Sequence, residues 1–192
     1  VERVQMGPEK KSHKVLEEDR KLVAYHEAGH ALVSYLSGEK PNYVTIVSRG
    51  DYGGFVEHAE DEKRFGYNKR EMLNLIRTAL AGRAAEILCY GDEDGLSTGP
   101  SSDLMKATRI AEQMIGIYGM DPIFGMATLR NVEGDLALQL RKAVNDILCR
   151  ELENAIQEIE THRNAFDAVV NALIDKNSLK GDELDNIIGN VV

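Results

Sequence analysis

The pentad His26-Glu27-Ala28-Gly29-His30 sits inside a segment, Glu17 to Ser37, whose apolar residues recur with helical neighbours and which Gly38 and Pro41 stop. On an α-helix, positions i and i+4 lie about 40° apart around the axis, so both imidazoles project to one side and can chelate a single ion. Glu27 lies about 60° from His30 on the same wheel, close enough to take a proton from a water activated by that ion without ligating the ion itself. The flanks, Leu22-Val23-Ala24-Tyr25 before the pentad and Ala31-Leu32-Val33 after it, are apolar. They bury the helix, where unpaired imidazoles are costly. A chance pairing of two histidines is the bland alternative, and the five-residue match weighs against it. The other histidines, His13, His58 and His162, do not cluster.

A catalytic zinc takes three protein ligands and keeps one open position. The residues offer several candidates for the third ligand: Glu86, within Gly82-Arg83-Ala84-Ala85-Glu86, and Asp92, Asp94 and Asp103 in or after a Gly-rich stretch. Spacing does not choose among them. Glu86 reads equally as a surface or supporting carboxylate, and Asp103 as an acid that favours the positive end of a helix dipole.

The rest of the chain reads as mainly helical α+β. Low Pro and runs of Ala, Leu, Glu, Lys and Ile favour helix, and 192 residues are enough to bury a core without staples. Residues 1–16, with Gly7-Pro8 as breaker, read as a linker, and with no initiator Met the chain is expected to be a piece of a longer protein. Tyr43 to Val47 reads as a strand and Phe55 to His58 as its return, forming a small hairpin or part of a mixed sheet. Asn68 opens a helix to about Cys89, with Glu71 in a capping-box relation. Gly91 to Pro100 is an exposed loop of about ten residues, long enough to carry function. Ser101 caps a helix to about Tyr118. Gly134 to Asp175 forms two helices broken near His162-Arg163-Asn164, and Asp182 to Ile188 a last short one. Cys89 and Cys149 lie in apolar helical contexts and read as buried, reduced thiols. The net charge of −9 and the lack of a basic block speak against nucleic acid. The cluster Lys10, Lys11, His13, Lys14 reads as a solvated entry segment. No apolar stretch is long enough to span a bilayer.

Four stretches in order, AYHEAGHALV, VTIVSRG, GRAAEILCYG and LSTGPSSDLMKATRIAEQMIGIYGM, resemble the peptidase domain of the FtsH-type, AAA-linked membrane zinc proteases. The resemblance covers about residues 1–130, and the opening VERVQMGPEKKS is similar to the segment that leaves the ATPase module in that family. It implies that Asp103, at the end of Ser97-Thr98-Gly99-Pro100-Ser101-Ser102-Asp103, is the third zinc ligand, so that the site is an Asp-zincin and Glu86 a supporting carboxylate. It further implies one zinc per chain, ATP used only through an upstream module, a homohexameric ring, and a cytoplasmic-facing protein anchored in the cell membrane by segments before the ATPase. The chain departs from the family in the short turn Asp51-Tyr52-Gly53-Gly54 and in lacking the Gly- and Ser-rich insertion before its long C-terminal helices. It has no Walker A loop.

The expectation is therefore a linker (1–16), a zinc-binding catalytic part (17–130) and a C-terminal helical part of the same domain (131–192). Its function would be endopeptidase cleavage of unfolded or misfolded polypeptides, with His26, His30 and Asp103 holding zinc and Glu27 as general base. Gly53, Gly54, Phe55, Val56 and Glu57 would present an open edge to which substrate adds as a strand, the alternative being an ordinary covered edge. One rival is a non-catalytic assembly or partner-docking module with a structural metal, which would have no need of Glu27. Another is a metal hydrolase acting on something other than peptides.

Overall fold

A computed structural model describes residues 17–47, 54–58, 66–94, 96–129 and 131–191, without the side chains of His58 and Asp92. The expected linker, the cluster Lys10, Lys11, His13 and Lys14, and Gly53 lie outside the described residues. Among the described residues, six helices and three strands follow in the order α1 (Glu17–Leu36), β1 (Pro41–Thr45), β2 (Phe55–His58), α2 (Lys69–Asp94), α3 (Ser101–Gly116), α4 (Gly134–Thr161), α5 (Arg163–Lys176), β3 (Ser178–Lys180) and α6 (Gly181–Gly189). The fold is mainly helical with one small sheet. No helix among the described residues is long and apolar enough to cross a membrane.

Local chemistry accounts for most of the boundaries. Asn68 and Glu71 exchange hydrogen bonds at the start of α2: the Glu71 N–H donates to Asn68 Oδ1 (3.0 Å) and the Asn68 N–H to Glu71 Oε2 (2.8 Å). Gly91 interrupts the end of α2 with φ 83° and ψ 174°, a conformation that side chains disfavour, so the exposed loop opens with a single helical turn. The break between α4 and α5 falls at His162.

Four expectations change. β1 starts at Pro41 and ends at Thr45, two residues earlier than expected; beyond it the Ile46 N–H still donates to the Asn177 carbonyl, one step past the Thr45–Ser178 pair. Ser101 is the first residue of α3 rather than its cap: Pro100 holds the cap position with no side-chain bond. Cys149 is exposed and Cys89 only half-buried. Cys149 lies two positions from buried Ile147, about 200° around α4 and so on its outer side. Finally, Ser178–Lys180 forms a third strand, which three residues between two helices do not announce. Asn177, in left-handed geometry at φ 65°, turns the chain into it.

The sheet has the order β2-β1-β3 and is antiparallel throughout, with Val44 paired to Val56 on one side and Leu179 on the other. β3 thus ties the C-terminal helices to the hairpin. One core lies between α1, the sheet, α5 and α6, around Leu32, Val44, Phe166, Leu173 and Leu179. A second lies between α2, α3 and α4, around Ile76, Met114, Ile115 and Ile147. α2 belongs to both and crosses α1 at small residues. A Cβ added to Gly29 would stand 2.4 Å from the Ala81 carbonyl oxygen, so the two backbones touch there. That contact sets the depth at which the histidine helix lies.

Candidate metal centre

α1 supplies His26, Glu27 and His30, α2 supplies Glu86, and the first turn of α3 supplies Asp103. His26 Nε2 and His30 Nε2 lie 3.0 Å apart, and Asp103 Oδ2 lies 3.2 Å from the first and 3.4 Å from the second. The other nitrogen of each ring is engaged. His26 Nδ1 lies 2.8 Å from Glu86 Oε1, and His30 Nδ1 lies 2.7 Å from the Thr78 main-chain oxygen. Both partners are oxygen acceptors, so each Nδ1 carries the proton and each Nε2 of a neutral ring presents a lone pair. Three lone-pair donors then face one another within 3.4 Å. That arrangement is repulsive unless a cation lies among them. Ligands bonded at about 2.0–2.1 Å to one tetrahedral zinc are separated by roughly 3.3 Å, so the donor set fits such an ion in type and spacing.

The electrostatics point the same way. Burial alone would lower the His26 pKa, but hydrogen bonds to Asp103 and Glu86 and the nearby Glu27 charge override it and push it up to about 9. Burial would raise the Asp103 pKa, yet its bonds to His26 and His30 hold it well below the usual carboxylate range. The cluster draws positive charge, whether a proton or a metal ion. Glu27 is 6% exposed, and that burial pushes its carboxyl up against the opposing pull of His30 and His26. Its carboxylate lies against the start of β2, where a Cβ on Gly54 would stand 2.5 Å from Glu27 Oε1.

These groups line an open cleft of about 540 Å³. Its walls include Leu22 and Val23 from α1, Gly54, Phe55 and Val56 from the start of the edge strand β2, and Lys106 from α3. The structure therefore brings together His26, Glu27, His30, Glu86 and Asp103. Asp94 is exposed and does not line the cleft.

Three contributors are given no role of their own in the sequence reading. Thr78 acts through its main-chain oxygen, which no residue type announces. Gly82 lies where the His26 ring packs. A Gly inside the helix ALAGRAAE, which costs about 1 kcal/mol relative to Ala, was its available signal. Ser97, in the loop, bonds Glu86.

Comparison with known proteins places the chain in a family. The model of peptidase family M41 matches residues 13–187. The chain is 32% identical to the "ATP-dependent zinc metalloprotease FtsH" of Mycoplasmopsis pulmonis, an alignment covering all of this chain and 28% of that protein. It is 33% identical to the protein of the same name from Caldicellulosiruptor bescii, over 98% of this chain and 33% of that one. It is also 33% identical to the "ATP-dependent zinc metalloprotease FtsH 4" of Synechocystis, over all of this chain and 33% of that one. The chain spans about a third of the length of these curated relatives. With a match that runs from before the histidine helix into the last helix, the chain belongs to peptidase family M41.

Proposed function

We propose that the chain is a zinc-dependent endopeptidase domain in which His26, His30 and Asp103 hold one zinc ion and Glu27 is the general base. The observation that carries this reading is the convergence of three lone-pair donors at the floor of an open cleft, with a buried carboxylate beside them. A zinc ion held there would polarise the scissile carbonyl and lower the pKa of a coordinated water toward about 7.

The protein groups do the rest. Glu27, its carboxyl raised by burial, is suited to take a proton from the attacking water and to deliver it to the leaving amine. Glu86 holds the His26 ring through Nδ1, and the Thr78 carbonyl holds the His30 ring. Among the described residues β2 is an edge strand, and Gly54 just before it lies against Glu27, which supports docking of an extended substrate as an added strand. Gly54 leaves room for the Glu27 carboxylate at that edge.

The relatives' names carry "ATP-dependent", and this reading extends it to the whole protein: an upstream ATPase module that feeds unfolded chains, a homohexameric ring and a membrane anchor before the ATPase. Exposed Leu136 and Leu138 on α4, with Ile123 and Met126 before it, support self-assembly. A structural-metal module is the less favoured reading, since structural zinc sites are closed by four protein ligands and the donors here number three among the described residues.

The test is cleavage of a permanently unfolded polypeptide and of a stable folded protein without ATP, with and without a zinc chelator, by the chain and by its Glu27→Gln variant. The expected result is chelator-sensitive cleavage of the unfolded substrate only, reduced about 10²–10⁴-fold in Glu27→Gln. Cleavage that is indifferent to both chelator and Glu27 would sink the proposal.

A further inference from the structure

The loop between α2 and α3 is fastened to the metal centre through one hydroxyl. Ser97 Oγ donates to Glu86 Oε2 at 2.9 Å, while Glu86 Oε1 accepts from His26 Nδ1 at 2.8 Å. The Gly99 N–H donates to the same Ser97 Oγ at 3.2 Å, which leaves the hydroxyl proton directed at Glu86. The Ser97 main-chain oxygen accepts from Arg83 Nη2 at 2.6 Å, so the residue is gripped at two points one helical turn apart on α2. Three residues on, buried Pro100 leads into α3 and Asp103. Glu86 is 2% exposed, and its two oxygens face His26 and Ser97.

We infer that Ser97 is a positioning residue for the metal centre, acting through Glu86 to hold the His26 ring with Nδ1 protonated and Nε2 turned toward the ion; this rests on the proposed function of that centre. The physical reason lies in the burial of Glu86. A carboxylate with one oxygen bonded and the other stranded in a dry site loses much of its preference for the geometry that serves His26. With both oxygens bonded, its orientation is over-determined, and so is that of the ring. The same residue fixes the loop that delivers Asp103, so one side chain links two of the three metal-holding groups.

The experiment measures the zinc dissociation constant by competition with a chromophoric chelator, together with the visible spectrum of the Co²⁺-substituted protein. The proteins are the wild type, Ser97→Ala, Ser97→Thr, Glu86→Gln and the double variant Ser97→Ala/Glu86→Gln. Outer partners of ligating histidines are typically worth 10–100-fold in metal affinity, and Ser97, one bond further out, is expected at about tenfold. Ser97→Thr, which keeps the hydroxyl, should return affinity to within about twofold of wild type and restore the Co²⁺ spectrum that Ser97→Ala alters. In the Glu86→Gln background, Ser97→Ala should cost markedly less than it does alone, because the path runs mainly through that carboxylate. Wild-type zinc affinity in Ser97→Ala, failure of Ser97→Thr to restore it, or an equal loss in the Glu86→Gln background would each overturn the inference. A wild-type protein that bound no zinc would instead overturn the reading of the centre itself.

Discussion

The His26 imidazole lies where a side chain on Gly82 would have to be: a Cβ built there would stand 2.3 Å from His26 Cε1 and 2.5 Å from Nε2. α1 and α2 approach closely along Gly29, Ala81, Gly82 and Ala85, and the His26 ring fills the remaining space. Gly82→Ala is expected to displace the end of the His26 side chain rather than the backbone. Zinc affinity should fall more than 10-fold, on the order of the loss caused by disturbing a ligand's orientation, while the fold loses about 1–2 kcal/mol. Gly29→Ala meets the Ala81 main-chain oxygen instead and should destabilise the fold by about 3 kcal/mol or more, for want of anything flexible to move. Chelator competition and urea denaturation on the two variants separate these outcomes, and equal effects on both readouts would refute the distinction.

Removal of His26, His30 or Asp103 as Ala should each abolish stoichiometric zinc, whereas Glu86→Ala should weaken it by about 10–100-fold and leave a measurable site. Metal analysis of the purified variants decides this. Loss in Glu86→Ala with full retention in Asp103→Ala would reverse the assignment of the third ligand.

Acidity should act on the centre in two directions. His26, raised to about 9, contributes stability to metal-stripped protein that is complete below its unfolded value of about 6.5 and is lost as pH rises through 9. Asp103, held low, contributes above its unfolded value of about 3.9 and is lost as pH falls toward its depressed folded value. From these two groups the metal-stripped chain should be most stable between about pH 4 and 6.5. Zinc must displace the His26 proton, so its affinity should instead rise by about tenfold per pH unit up to about pH 9. Denaturation of the stripped protein and zinc competition across that range provide the measurements. A zinc affinity that stays flat between about pH 6 and 8 would contradict the proton competition.

Away from the centre, Arg77 on α2 clamps α4. Its Nε and Nη2 donate to Glu151 Oε2 at 3.1 and 2.9 Å, and its Nη1 pairs with Glu158. Glu151 is 1% exposed, and burial of such a charge is tolerated only with partners. Arg77→Met should cost about 3 kcal/mol, the lower end for breaking a buried pair, because Arg150 and Asn154 still reach Glu151. The double variant Arg77→Met/Glu151→Leu should recover most of that loss. Urea midpoints at constant m-value test both, and zinc content should not change.

The histidine helix, the reciprocal cap at Asn68 and Glu71 and the break at His162 were legible because each depends on contacts within one helical turn. The i,i+4 spacing of His26 and His30 by itself determined that two imidazoles would share a face, whatever surrounded them. From the residues alone the third donor stayed open among Glu86, Asp92, Asp94 and Asp103, since chemistry at that level sees only carboxylates. The resemblance, not spacing, pointed to Asp103. Tertiary structure decided where the carboxylates stand: the α1–α2 crossing set by Gly29 puts Glu86 on the far nitrogen of His26, and the Ser97-anchored loop brings Asp103 to the near one. The partner of His30 was out of reach of any sequence reading, because a main-chain carbonyl is present at every position and only packing selects the one at Thr78. β3 was missed for the same reason. Three residues carry too little pattern to declare a strand, and their pairing with β1 is decided by the docking of α5 and α6 against α1.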